Sequence, residues 1–250
     1  MNVKPHPLIT MIVPAYNEET LLAGTLEVLI QFLKPRYSCY EIIIVDDGSE
    51  DQTPDVVASI GKSQPVGAPI RLLRNDRNMG KGYSIRRGVL ESRGRYVVFT
   101  DADLPYDPEA IERMVAALES GHSLAIGSRV LRGSEIRRVP LLRYVAGQTF
   151  SLLVRLLAVP GIHDTQCGLK AFTAEAALQV FSRLTIRGFG FDVETLYIAR
   201  KLGYSILPVT VRMIGHRYDS RVRVLHDSVR MLADLIRIRI NDLSGRYDRS

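Results

Sequence analysis

Five short apolar runs constrain this chain more than anything else in it. They are LITMIV (8–13), EIIIV (41–45), IRLL (70–73), YVVFT (96–100) and LAIGS (124–128). Each is continuous rather than alternating. A strand with one wet face alternates apolar and polar residues, so a continuous run is expected where both faces of a sheet are covered. Stretches with helical periodicity stand between the runs, at 17–33, 53–63, 81–92 and 108–120. This β-α-β-α order predicts a mostly parallel, doubly wound sheet flanked by helices.

Sheets of that kind bind ligands beyond the carboxyl ends of their strands. The residues waiting there are PAYNEE (14–19), DDGSED (46–51), RNDRNMGKG (74–82), DADLPYD (101–107) and Arg129. Polar and ionisable groups therefore collect along one edge, and each motif reads two ways. DAD is either a turn capping a strand or a pair of carboxylates that turn toward one divalent cation, with diphosphate oxygens completing the shell. DDGS is a tight turn, or a carboxylate that accepts hydrogen bonds from a base or ribose. PAYNEE is a proline break with an N-cap at Asn17, or a frame for a base, with Tyr16 packing and Glu18 bonding. NMGKG is a surface turn, or a glycine-rich helix start whose N–H groups and Lys81 suit phosphate. It lacks the spacing of a P-loop, and no GxGxxG follows the first strand.

The chain has 250 residues, enough for a large core. Its two cysteines, Cys39 and Cys167, have no metal-ligand spacing, which excludes a structural zinc site. The start of the sequence has no apolar signal region, and no run of about 18 apolar residues occurs, so a cytoplasmic protein without a membrane span is expected. A formal net charge of +6, from 33 Lys and Arg against 27 Asp and Glu, favours anionic partners without choosing among them.

Taken in order, VPAYNE, VDDGS, RNMGKG, DADL and GSR resemble the family 2 glycosyltransferases with the GT-A fold. The second half narrows the likeness. DTQCGLKAF (164–172), GFDVETLYIARKLGY (190–204) and IRIRINDLSGRY (236–247) look like the dolichyl-phosphate glucose synthases and their prokaryotic relatives, with polyprenyl-phosphate mannose synthases as close cousins. The resemblance implies an inverting hexosyl transfer onto dolichyl or polyprenyl phosphate, from UDP-glucose or, as the alternative, GDP-mannose. It implies Mg²⁺ or Mn²⁺ on Asp101 and Asp103. It implies a donor site of Pro14, Ala15, Tyr16, Glu18, Asp46, Asp47, Lys81, Asp101 and Ala102. Asp103, Asp164 and Arg129 would carry catalysis, and Arg129, Gln166, Ser220 and Arg221 would meet the acceptor. Arg221 stands where relatives have Lys, which keeps the charge and changes the geometry.

On this reading residues 1–215 form one glycosyltransferase domain, with a nucleotide-sugar half (1–130) and an acceptor half (131–215), followed by a basic loop and an amphipathic helix (216–250). An acceptor phosphate is itself a nucleophile, so the site needs cations more than a strong base. Five arginines stand between Arg129 and Arg143 against the single acid Glu135, and nine stand from Arg212 onward against five aspartates. Residues 141–159 and 224–240 both have a composition that suits an anionic membrane interface, with core packing as the alternative. The expected placement is peripheral, at the cytoplasmic face, centred on 132–159, with no nucleic acid. A soluble acceptor and a nucleotidyltransferase remain as alternatives. The sequence fixes no oligomeric state.

Overall fold

The computed structural model describes residues 8–63, 70–131, 154, 158–214 and 224–248. The chain builds one seven-stranded sheet: β1 (Ile9–Ala15), β2 (Tyr40–Asp46), β3 (Ile70–Arg74), β4 (Tyr96–Phe99), β5 (Leu124–Ser128), β6 (Lys170–Thr173) and β7 (Ile206–Thr210). Their spatial order is β3-β2-β1-β4-β6-β5-β7. The helices are α1 (Leu22–Leu33), α2 (Thr53–Ser63), α3 (Lys81–Leu90), α4 (Glu109–Glu119), α5 (Ala174–Arg183), α6 (Phe191–Lys201) and α7 (Val224–Leu243).

Both faces of the inner strands β1, β2, β4, β5 and β6 are buried, which is why their runs do not alternate, while β3 at one edge stays partly exposed. On β1, Ile9, Met11 and Val13 join Ile42 and Ile44 of β2 in a core shared with α1 and α4. The intervening Ile12, with Ile43, Val45, Val97 and Phe99, faces the opposite core under α3, α5 and α6. Phe99, Phe172, Phe181 and Phe191 pack ring against ring at the centre of that second core.

Three features differ from the sequence expectations. First, α1 begins at Leu22, not Asn17. Asn17 has a positive φ of 53°, and its amide donates to Ser49 Oγ. The next two amides donate to Thr53 Oγ1 and Asp51 Oδ2, so the loop before α2 organises 17–19 and Asn17 caps nothing in α1. Second, two further strands exist. Third, β6 is antiparallel to both β4 and β5, so the sheet is mixed where β6 inserts. Through β6 the second half of the chain sits between strands of the first. Ser220, Arg221, His216 and residues 132–150 lie outside the described residues, and so does most of the basic segment 132–159.

Candidate active site

At the end of β2, Asp46 is fully buried. Its Oδ1 accepts from the Ser49 amide at 3.0 Å, and its Oδ2 stands 3.1 Å from Arg74 Nε. That contact is an ion pair without an aligned hydrogen bond, so Oδ2 remains an unsatisfied acceptor. Asp46 does not itself line the open groove of about 460 Å³ nearby; its partners Ser49 and Arg74 do, with Tyr16, Gly48, Arg77 and Asn78 among others. A flat polar ring with N–H donors suits such a place. Asp47 does something else: its oxygens accept from Asn75 Nδ2 and from the Met79 and Gly80 amides. It holds the loop that starts α3. There Gly80 has φ +98°, and a Cβ on it would stand 2.5 Å from the Arg187 carbonyl oxygen, so only glycine brings Lys81 into place.

Asp101 and Asp103 leave β4 at the same edge. Lys81 Nζ donates to Asp101 Oδ1. Burial pulls the Lys81 pKa down, but Asp101, Asp192 and Asp103 outweigh it and hold it above its ordinary value. The Asp101 carboxylate rests on Gly168, where a Cβ would stand 2.0 Å from Oδ2. Behind this pair lies a second one. Lys170, with no exposure, donates to the Asp192 carboxylate and to the Cys167 carbonyl, 2.7 Å away. Burial raises the Asp192 pKa, although Lys170 and Lys81 both oppose it. The four groups run as an alternating row: Asp101, Lys81, Asp192, Lys170.

The third part lies between β5 and the loop before β6. Arg129 Nε and Nη2 donate to the two oxygens of Asp164, each at 2.8 Å, and the Arg129 amide adds a third bond at 2.9 Å. Burial pushes Asp164 up, yet these bonds and the guanidinium charge bring it below its ordinary value. Asp164 is therefore a fixed anion that orients Arg129. Tyr106 accepts from the Gly168 amide, and burial raises its pKa well above the usual value. Cys167 is pushed up to about 11 by burial and by Asp164, so it stays a thiol at neutral pH.

The described site residues thus fall into three neighbouring groups on the carboxyl edge. Tyr16 lines the groove at Asp46, and Glu18 is buried at the loop behind it. Pro14 and Ala15 end β1 beside Val45 and Asp46. The Ala102 carbonyl accepts from Thr25 Oγ1 of α1 at 2.6 Å, which anchors the turn between the two aspartates. Gln166 Nε2 stands 3.7 Å from Met231 Sδ of α7. Asp107, the last acid of DADLPYD, is turned away to the Arg212 amide and Arg113. Sequence reasoning missed Lys170, Asp192 and Gly168. A lysine inside the apolar run GLKAF was the available signal.

Asp101 and Asp103 offer hard oxygens of the kind Mg²⁺ and Mn²⁺ take, and the Gly168 cradle keeps one of them in place. Among the described residues no group of three His, Cys, Asp or Glu forms an all-protein cage. Two carboxylates are the usual protein share when phosphate oxygens and water complete the shell.

Residues 10–177 match the family model described as Glycosyl transferase family 2. The chain belongs to that family. It is a glycosyltransferase, which sets nucleotidyl transfer aside. The dolichyl-phosphate beta-glucosyltransferase of Dictyostelium discoideum is 38% identical over 248 residues, covering 95% of this chain and 75% of that protein. The Mus musculus protein of the same name is 37% identical over 257 residues, with 97% and 78% covered. Among solved structures, glucosyl-3-phosphoglycerate synthase from Mycobacterium tuberculosis, in complex with Mn²⁺, UDP and phosphoglyceric acid, superposes with a TM-score of 0.69. It covers 93% of this chain and 78% of its own at 21% identity, a likeness of fold. The family 2 glycosyltransferase described here thus has the GT-A fold expected from its sequence.

Proposed function

We propose that this glycosyltransferase moves glucose from UDP-glucose onto the phosphate of dolichyl or another polyprenyl phosphate, with inversion, using Mg²⁺ or Mn²⁺ held by Asp101 and Asp103. One observation carries the reading. Two cationic side chains, Lys81 and Arg129, stand at one sheet edge, each anchored on an acid from a different element. Such an edge gathers two phosphorylated partners. The relatives named dolichyl-phosphate beta-glucosyltransferase support the acceptor and the sugar. The Mycobacterium synthase, solved with Mn²⁺ and UDP-glucose, supports the donor and the metal.

In this mechanism the Asp46 groove holds the uracil and ribose, and Lys81 lies against the diphosphate. When bound, the ion supplies positive charge for the leaving group. An oxygen of the acceptor phosphate attacks the anomeric carbon from the face opposite UDP. The new C–O bond forms as the bond to the UDP oxygen breaks, and the electron pair leaves with UDP. A phosphate monoester carries roughly −1.5 to −2 charge at neutral pH, so no side chain has to take a proton. Arg129, oriented by the ionised Asp164, steadies that phosphate. Because the acceptor is lipid, we place the chain peripherally at the cytoplasmic face of a membrane.

A donor and acceptor panel tests this. UDP release is expected only with UDP-glucose, polyprenyl phosphate and a divalent ion together, and Asp103→Asn should lower turnover by roughly 100-fold or more. GDP release from GDP-mannose, or transfer to phosphoglycerate instead of the prenyl phosphate, would sink the assignment.

A further inference from the structure

Helix α7 has two apolar faces. Leu235 and Ile238 are buried and belong to the core that includes α6. Asn241 fastens the same side through hydrogen bonds to Thr185 Oγ1 and Tyr247 Oη. On the opposite side Leu232, Ile236, Ile240 and Leu243 are 42%, 57%, 59% and 82% exposed. Their spacing of four, four and three residues lines them up along one helix face. A surface helix with a single core to serve would carry polar residues there.

The charges beside this stripe are sorted by sign. Arg230 and Arg237 are exposed, and helical spacing puts both on one flank of the stripe. Arg239 falls on the other flank, where it donates to Tyr197 Oη and lies over that ring. The acids among the described side chains of this helix, Asp234 and Asp242, turn away from the stripe. Asp242 is held by Lys201 and Tyr197. Asp234 lies against Gly190, where a Cβ would stand 2.3 Å from its carboxylate, and both Arg230 and Arg237 act on it electrostatically. Beyond the helix, Asp248 is paired with Lys201. Among the described side chains of α7 from Arg230 onward, what remains outward around the stripe is apolar and cationic.

We infer that α7 lies in the plane of an anionic lipid surface, with Leu232, Ile236, Ile240 and Leu243 inserted among the acyl chains and Arg230 and Arg237 at the headgroups. This rests on the lipid-phosphate reading above and names the surface that serves it. No described helix is long and apolar enough to cross a bilayer, so the contact is lateral. A second copy of the chain fits less well. Four side chains offer a few hundred Å² of apolar surface, against roughly 800 Å² per partner in a stable interface. A symmetric pair would also set arginine against arginine. Anionic headgroups complement the same arginines. The position serves the chemistry too. Met231, beside Leu232 but on the inward side of α7, touches Gln166 in the loop that carries Asp164, so the helix that bears the stripe packs directly on the acceptor loop.

Co-sedimentation of the full chain with phosphatidylcholine vesicles, with and without phosphatidylglycerol, tests the inference. The wild type should bind the anionic vesicles and be released by salt. The pair Ile236→Glu with Ile240→Glu should abolish binding to both vesicle types. The pair Arg230→Gln with Arg237→Gln should weaken binding to anionic vesicles by roughly 25-fold at low salt, about fivefold per arginine, and leave weak binding to neutral ones unchanged. UDP affinity should match the wild type in all four substitutions, because none of these side chains packs in the site; the melting temperature should match for the isoleucine pair, while the arginine pair loses the charges that act on Asp234 and should melt slightly lower. The inference is overturned if the wild type stays in the supernatant at low salt, or if the glutamate pair still binds. It is equally overturned if the wild type is a dimer that the glutamate pair splits, which would make the stripe a contact between copies. Glucosyl transfer to a short, water-soluble prenyl phosphate separates this from the functional reading. If vesicle binding fails while that transfer persists, only the membrane inference falls; if the transfer is absent while vesicle binding holds, only the functional reading falls.

Discussion

Gly168→Ala should silence the enzyme while leaving it folded. The added Cβ would stand 2.0 Å from Asp101 Oδ2, and the nearest ordinary contact is 3.4 Å, so the carboxylate must retreat by about 1.4 Å. It has somewhere to go, since the Asp101 side chain is 27% exposed. Retreat separates it from Lys81 and from the place where it would share an ion with Asp103. A misplacement of about 1 Å in a catalytic array costs on the order of 100-fold, or about 2.7 kcal/mol of barrier. Stability should hardly change, because the clash is with a movable side chain. Gly168 also needs no unusual φ, and alanine restricts the unfolded chain, which offsets part of any strain. The control is Gly88→Ala, where the Cβ meets Ile12 and Val45 methyl groups at 2.7 and 3.1 Å inside the core. Overpacking there should cost about 1–3 kcal/mol and leave kcat/KM intact in the folded fraction. UDP release with UDP-glucose and polyprenyl phosphate, beside thermal melts, reads both quantities. Retention of activity in Gly168→Ala within about threefold of wild type would refute the role given to the Asp101 position, and so would a loss that merely tracks unfolding.

Asp192→Asn leaves the Lys170 ammonium buried beside a neutral amide, so it should destabilise by about 3–5 kcal/mol in denaturant melts, and adding Lys170→Met should recover much of that. Asp164 lies below its ordinary carboxylate value of 3.8 once folded, so its pairing with Arg129 contributes stability in full above that value and loses it as pH falls through the folded pKa. The melting temperatures of the wild type and Asp164→Asn should therefore differ most at neutral pH and converge in acid, as calorimetry across pH can check. Gly24 is exposed in α1 with nothing within 4 Å of a Cβ, so Gly24→Ala should raise stability by about 0.5–1 kcal/mol, visible as a rise of a few degrees in melting temperature.

Strands β1, β2, β4 and β5 were legible because each is a continuous apolar run, the mark of a sheet covered on both faces, and β3, a half-exposed edge strand, from its short Ile-Leu-Leu pattern. β6 and β7 were not. The first is only four residues long and opens on Lys170, whose burial depends on Asp192, placed beside it only by tertiary structure. Pro208 interrupts the second, and proline is tolerated there because β7 is the edge strand. The start of α1 was misplaced because the amides of 17–19 find side-chain acceptors on residues 49–53, and no local pattern announces that. Within the site, the acids and bases at strand ends were readable from their place after the apolar runs. Their partnerships were not: that Asp47 organises a loop, that Arg129 is spoken for by Asp164, or that a glycine makes room for Asp101, each depends on atoms far apart in sequence.

An antiparallel strand begins where its parallel neighbours finish. β6 enters the sheet from the edge at which β4 and β5 leave it, and so the loop before it, residues 164–169, is delivered to the edge where Asp101 and Arg129 stand by direction alone. Tyr96 must find Thr173 before that can happen. Until then a nascent chain carrying only the first five strands has β4 unpaired on one side, no floor beneath Asp101 and no Asp192 behind Lys81. Domains tend to fold from the N-terminus during synthesis, yet here the earliest part cannot complete its own site. One strand therefore completes both halves of the candidate site: β6 brings Gly168 under Asp101 and Lys170 to Asp192 on one side, and Asp164 to Arg129 on the other.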